Sequence, residues 1–137
     1  MFSGHELTFA IRLLEALVAG VLIGSERELR DKPAGISTHC LVIGGAMVFA
    51  FLSQTIEAAN TARMAAQIVT GVGFLGAGII LRRDDGSVAN LTTAASVWQA
   101  AAVGMLIGFG FHLLAAMATV YSVIVPRIPH LRHRGDR

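Results

Sequence analysis

Apolar residues fill this chain in long blocks instead of alternating with polar ones. The first block runs from Leu7 to Gly24, the second from His39 to Ile56 and the third from Met64 to Leu81. A last block, Thr92 to Ile128, is too long for one helix and breaks near Gly108-Phe109-Gly110-Phe111-His112, so it predicts two helices joined tightly. A helix of about 18 residues covers about 27 Å, close to the roughly 30 Å of a hydrocarbon core. The pattern therefore predicts an all-α integral membrane bundle of five transmembrane helices over residues 1–128, with a basic tail at 129–137. No Lys or Arg precedes the first block, which reads as a span and not as a signal peptide.

Composition supports the same solvent. Hydrophobic residues make up 54% of only 137 positions and charged ones 15%, more apolar surface than a soluble domain this short can bury. The single cysteine, Cys40, excludes an intramolecular disulfide framework. The placement of charge says more than its sum. Arg27, Arg30 and Lys32 lie in the first loop, Arg82 and Arg83 in the third, and Arg127, Arg132, Arg134 and Arg137 in the tail. Opposite them stand only Arg63 in the second loop and Arg12, a few residues into the first helix. By the positive-inside rule the N-terminus is expected outside (periplasmic) and the C-terminus in the cytoplasm.

The third block carries Gly71, Gly73, Gly76 and Gly78. In water each glycine would weaken a helix by about 1 kcal/mol relative to alanine, whereas in lipid glycine lets a neighbouring helix come close. These four are expected to be helix-packing positions. The embedded Gly71-x-Gly73-x-x-Gly76 imitates a dinucleotide fingerprint, but it lies within one apolar run and position 96 is a serine, not an acid. Ala16, Gly20 and Gly24 recur along the first helix, and Thr92, Ser96, Ala100, Gly104 and Gly108 along the fourth. These stripes are expected to close helices one, three and four together.

Polar residues inside the apolar blocks ask for partners, because an ionised group at mid-membrane costs about 2.5–3.5 kcal/mol or more. Glu15 follows Arg12 by three positions, which predicts a local ion pair. The sharper alternative sets Glu15 on a polar path with Gln99, at similar depth; Gln67 is the remaining intramembrane amide. The stretch Ser25 to His39 is dense in charge of both signs and is expected to be a loop turned by Pro33 and Gly35. In the third loop Asp84-Asp85-Gly86-Ser87 reads as a turn, with Asn90 or Thr92 capping the next helix. The flanking Arg82 and Arg83 argue against a specific metal site at the two aspartates, and His130-x-x-His133 lacks further ligands. Attraction of the arginine-rich tail to anionic lipid is the simpler expectation. No nucleophilic constellation is present, so an enzyme is not expected, nor a cofactor or a nucleic-acid partner.

Three ordered motifs carry a resemblance. Gly24-x-Glu26-Arg27-Glu28 with Pro33-Ala34-Gly35-x-x-Thr38-His39, then Gly71-Val72-Gly73-Phe74-Leu75-Gly76-Ala77-Gly78, then Leu91-Thr92-Thr93-Ala94-Ala95-Ser96-x-Trp98 resemble the membrane domain of the MgtC/SapB family. The resemblance spans about Leu7 to Val125 and implies a bacterial inner-membrane protein. Members are associated with growth in scarce magnesium, stress adaptation and, in pathogens, survival inside phagocytes. Ser37 stands where the family commonly has arginine, and Asn90 where it commonly has glycine. Longer members carry a soluble C-terminal domain, and this sequence resembles a short form without it.

Together these readings lead to a non-enzymatic regulator or adaptor of membrane ion homeostasis acting through other membrane proteins. An oligomeric Mg2+ transporter or channel is the alternative. Expected partners are the lipid bilayer, other membrane proteins and further copies of the chain. The expected working surface is cytoplasmic, with Glu26, Arg27, Glu28, Thr38 and His39 facing Thr92 and Thr93 at the start of the fourth helix.

Overall fold

The computed structural model describes residues 4–56 and 58–129. Helices α1 (Gly4–Leu29), α2 (Ile36–Ile56), α3 (Thr61–Ile79), α4 (Leu91–Gly108) and α5 (His112–Ile124) follow one another up and down. Single 3-10 turns at Ala58–Asn60 and Val125–Arg127 precede α3 and follow α5. Between α3 and α4 the strands β1 (Leu81–Arg82) and β2 (Val88–Ala89) pair antiparallel, Leu81 opposite Ala89 and Arg82 opposite Val88. The first four helices are long and apolar enough to cross a membrane. With 13 residues, α5 is shorter, about 20 Å long. It runs beside α1 from Glu15, bonded to His112, to Arg30, bonded to the Pro126 carbonyl, and so crosses most of the bundle. The fold is an all-α, multi-pass membrane bundle.

Burial explains the arrangement. Large apolar side chains face outward, Phe74 being 82% exposed, as lipid contact allows and water does not. The interior is built of small and branched residues in two layers. Ala16, Ile23, Ile43, Met47, Val103 and Ile107 pack where α1, α2, α4 and α5 meet. Ala46, Ala50, Ile68, Val72, Val97 and Ala101 pack between α2, α3 and α4. Both layers use α2 and α4, which are the two inner helices.

The glycine seams lie elsewhere than expected. A Cβ on Gly20 would stand 2.6 Å from the Cys40 Cα, and one on Gly24 would collide with the Ile36 backbone. Gly104 abuts the Ile43 carbonyl, and a Cβ on Gly108 would lie 2.5 Å from the Met47 carbonyl oxygen. The small stripes of α1 and α4 thus close on α2, not on one another and α3. Around Gly71, Gly73 and Gly78 there is open space, and a Cβ on Gly76 would meet only Ala94, at 3.9 Å. The expected seam along α3 forms only at Gly76, which is buried against Ala94 of α4; Gly71, Gly73 and Gly78 look outward, and Ile68 and Val72 do the rest of the packing. Periodicity fixes which residues share a face but not which helix covers it.

The loop boundaries also move. The charged stretch expected as loop is helical through Leu29. There the chain ends α1 in a Schellman turn: Lys32 N–H donates to the Arg27 carbonyl (3.0 Å) and Asp31 N–H to that of Glu28 (3.0 Å), with Asp31 left-handed at φ 51°. The Glu28 Oε1 accepts from the Ile36 N–H at 2.8 Å and so caps α2 from the previous helix. Gly35 has to be glycine because that carboxylate occupies the space a Cβ would take. In the hairpin Gly86 sits at φ 82°, and the Ser87 hydroxyl and N–H hold the Asp85 carboxyl below its ordinary pKa. Asn90 begins α4 at φ 64°, but its side chain donates to the Ile79 carbonyl at 3.3 Å instead of capping α4. Glycine and asparagine are the residues that accept this conformation, which accounts for asparagine in a glycine position.

Gly104→Ala is expected to cost about 1–3 kcal/mol by overpacking against the α2 backbone, whereas Gly71→Ala is expected to change stability by less than about 0.5 kcal/mol. Thermal unfolding of both variants in one detergent checks this, and equal losses would refute the assignment of the seams.

Candidate functional site

One polar cluster is buried at the bundle end that holds the α1–α2 loop, the hairpin and the end of α5. Its position follows from chain geometry. Because α1 stays helical past Gly24, Glu26 and Arg27 turn inward, 3% and 1% exposed. Because Gly24 lets α2 start against α1, His39 enters the same space one turn into α2, with no exposed surface. Thr93, 2% exposed, closes the cluster from the first turn of α4.

Hydrogen bonds tie three helices together there. Arg27 Nη2 donates to the Thr93 Oγ1 at 2.8 Å. His39 Nδ1 lies 2.9 Å from the Gly35 carbonyl oxygen, and Nε2 lies 2.8 Å from the Ser96 Oγ. A carbonyl can only accept, so Nδ1 carries the proton, and in the neutral ring Nε2 accepts from the Ser96 hydroxyl. Arg30 Nη1 meets Glu26 Oε1 at 3.4 Å and also donates to the Pro126 carbonyl, which binds the end of α5 to that of α1. Glu26 Oε2 and Arg27 Nε are buried with no hydrogen-bond partner among the described residues. These unmet groups make the cluster costly to bury, and Arg12 Nε at the other end of the bundle is likewise unmet among the described residues.

Several expected residues therefore come together: Glu26, Arg27, His39 and Thr93 share one buried space, and Glu28 acts next to it as the cap of α2. Thr38 is half-buried beside His39 and makes no side-chain hydrogen bond among the described residues. Thr92 points the other way, into a groove between α4 and α5. Ser96, expected only as part of a packing stripe, is instead the partner of His39; its spacing of three from Thr93 on one helix face was the available signal.

At the opposite end the polar residues pair differently from expectation. Arg12 does not reach Glu15. Its Nη1 donates to the Gly108 carbonyl at 2.6 Å, and its guanidinium lies 5.2 Å from the Phe51 ring centroid. It thus serves the carboxyl end of α4, where exposed carbonyls and the helix dipole favour a cation. Glu15 instead meets His112 Nδ1 at 2.7 Å, a residue 97 positions away that no local pattern could pair with it. The path joining Glu15 to Gln99 is absent too. Gln99 lines the α4–α5 groove, Glu15 the α1–α5 side, and Gln67 the α2–α3 side. Residue number placed Glu15 and Gln99 at similar depth, but Glu15 pairs with His112 at one end of the bundle while Gln99 lies midway along α4, so depth as well as azimuth depends on packing. His130 and His133 of the tail lie outside the described residues.

The buried contact predicts its own energetics. Thr93→Val removes the Arg27 acceptor at constant shape and is expected to destabilise by about 1–3 kcal/mol. Combined with Arg27→Met the loss should be clearly less than the sum of the two. Unfolding of both single variants and the double variant in detergent checks this, and strict additivity would mean that the two side chains are not coupled.

Comparison with known proteins places the chain in a family. The MgtC family model matches residues 13–133, which takes in all of the cluster. Protein MgtC of Salmonella typhimurium (strain LT2) is 45% identical over 112 residues, covering 82% of this chain and 48% of that protein. YhiD of Escherichia coli (strain K12), whose name proposes a magnesium transporter, is 41% identical over 131 residues, 89% of this chain and 60% of its own length. An uncharacterized protein of Haemophilus influenzae is 36% identical over 145 residues, 98% of this chain and 60% of its own. The chain spans about half the length of the MgtC proteins it matches. No solved structure matches it significantly. With the family model covering nearly all of the bundle, the chain belongs to the MgtC family.

Proposed function

We propose that this chain is a non-enzymatic protein of the bacterial inner membrane that serves magnesium homeostasis as a regulator or adaptor, through contacts with other membrane proteins. The link to magnesium rests on what the name of YhiD proposes. The observation that carries the mode of action is the separation of the polar groups. Arg12, Glu15 and His112 gather at one end and Glu26, Arg27 and His39 at the other. Between them the interior is filled by Ala19, Ile23, Ile43, Met47, Ala100 and Val103. A hydrated ion would have to displace this packed layer, at a cost that one copy has no polar lining to offset. The outward glycine face of α3, by contrast, suits close approach of a helix from another chain.

The basic residues of the α1–α2 loop, the hairpin and the end of α5 lie at the same end, which we assign to the cytoplasm, with the N-terminus periplasmic. The buried cluster then lies beneath the cytoplasmic face, where a partner that binds the exposed Glu28, Arg30 and the loop after them would bear on it.

The second reading is an oligomeric Mg2+ transporter, favoured by the same outward face of α3, which would let two copies build a path between them. Liposomes holding the purified protein and a magnesium indicator separate the two. The regulator reading expects no influx above protein-free vesicles, and influx that scales with protein would overturn it. For orientation, single cysteines placed at His5 and Asp85 in a Cys40→Ser background are expected to react with an impermeant reagent from outside the cell and from inside only, respectively. The reverse pattern would invert the topology.

A further inference from the structure

The groove between α4 and α5 differs from the other clefts of the bundle. It is the largest of those described, about 560 Å3, against about 460 Å3 for the cleft between α2 and α3. The α2–α3 cleft is apolar save for Gln67, whereas the α4–α5 groove is lined by Thr92, Ser96, Trp98, Gln99, Tyr121 and Ser122, with Pro126 at its mouth. The Gln99 amide, half-buried, has no hydrogen-bond partner among the described residues. Tyr121 stands one turn from the end of α5, where an amphipathic ring suits the membrane interface. Arg30 and Arg127 stand beside the mouth and not in the lining: Arg30 bonds the carbonyl of Pro126, which does line the groove, and the exposed Arg127 follows Pro126 in the chain. One neighbouring anion, Glu26, is itself buried and shared between Arg30 and Arg27.

We infer that this groove is a binding site for one anionic phospholipid of the cytoplasmic leaflet, its headgroup held between Arg30 and Arg127 and an acyl chain lying along Trp98 toward the Gln99 level. The chemistry fits part by part. Two cations beside the mouth can meet a phosphate that carries net negative charge, as basic pockets between transmembrane helices do. Hydroxyls and an amide just below them can donate to the glycerol esters, and the apolar walls beyond can hold the chain. A partner helix would need the same groove to be apolar or small-sided, and would leave the two arginines unmatched. The site would tie α5, the shortest helix, to the end of α1 and α4 that carries the buried cluster. The assignment to the cytoplasmic leaflet rests on the orientation proposed above; the groove and its charges do not.

Trp98 is the one tryptophan of the sequence, so its fluorescence reports the groove directly. The full chain is reconstituted in phosphatidylcholine vesicles that contain a small fraction of either brominated phosphatidylglycerol or brominated phosphatidylcholine. Brominated phosphatidylglycerol is expected to quench Trp98 at roughly tenfold lower mole fraction, and raised salt to narrow the difference. Arg30→Ala with Arg127→Ala is expected to abolish the preference. Ala95→Phe, which fills the groove from an exposed position, should reduce quenching by both lipids. Equal quenching by the two lipids in the unaltered protein would overturn the proposal. So would a preference that survives loss of both arginines, or one untouched by Ala95→Phe. Protection of Trp98 from both lipids would show a protein segment, such as a second copy, in the groove instead. The readout is independent of magnesium and, with lipid on both faces of the vesicle, of the orientation in the cell, so failure of the functional reading would leave it standing.

Discussion

The backbone of α2 is gripped from two sides, and the rest of the bundle follows from that grip. Gly20 and Gly24 bring α1 against it, while Gly104 and Gly108 bring α4. In lipid no hydrophobic force draws helices together, so close backbone approach and the dispersion it gains must supply the association. Large side chains at these positions would hold the helices apart, and the two core layers that share α2 would open.

That grip also makes a polar interior tolerable at one end. With α1 and α2 nearly touching, their short connection doubles back in a Schellman turn, and Glu28 caps the next helix within the same turn. Glu26 and Arg27 are swept inward by helical continuation and meet His39 and Thr93 already in place. Charges buried in this manner add little net stability. They make one arrangement of α1, α2 and α4 cheaper than its neighbours, because rotation of any of the three helices strands a guanidinium or a carboxylate. The far end uses a milder version: Arg12 serves the carbonyl end of α4, and Glu15 meets His112 at the start of α5.

With the interior occupied, what remains for partners is the outside. Gly71, Gly73 and Gly78 of α3 face outward and leave that helix joined to the bundle by Ile68, Val72 and Gly76 alone of its buried residues. A helix so lightly held, smooth on its free face and ending in a charged hairpin, is the part of the molecule best suited to meet another chain. The α4–α5 groove, largely apolar with hydroxyls and an amide along it and arginines beside its mouth, is suited instead to lipid.

Hydropathy alone determined the solvent and the spans, because a run of apolar residues has one consequence wherever its neighbours stand. The break at Gly108–His112 was legible for the same reason, a helix end being local, whereas the meeting of Arg27 with Thr93 across the chain was expected only from the motifs of the family it resembles. Azimuth was not. Gly71 and Gly104 look alike in a sequence, yet one faces lipid and the other a carbonyl of α2. Arg12 and Glu15 stand in ideal spacing for each other and choose Gly108 and His112 instead. Which face is covered depends on how the helices are rotated and ordered, and that is settled only when all of them compete for the same neighbours.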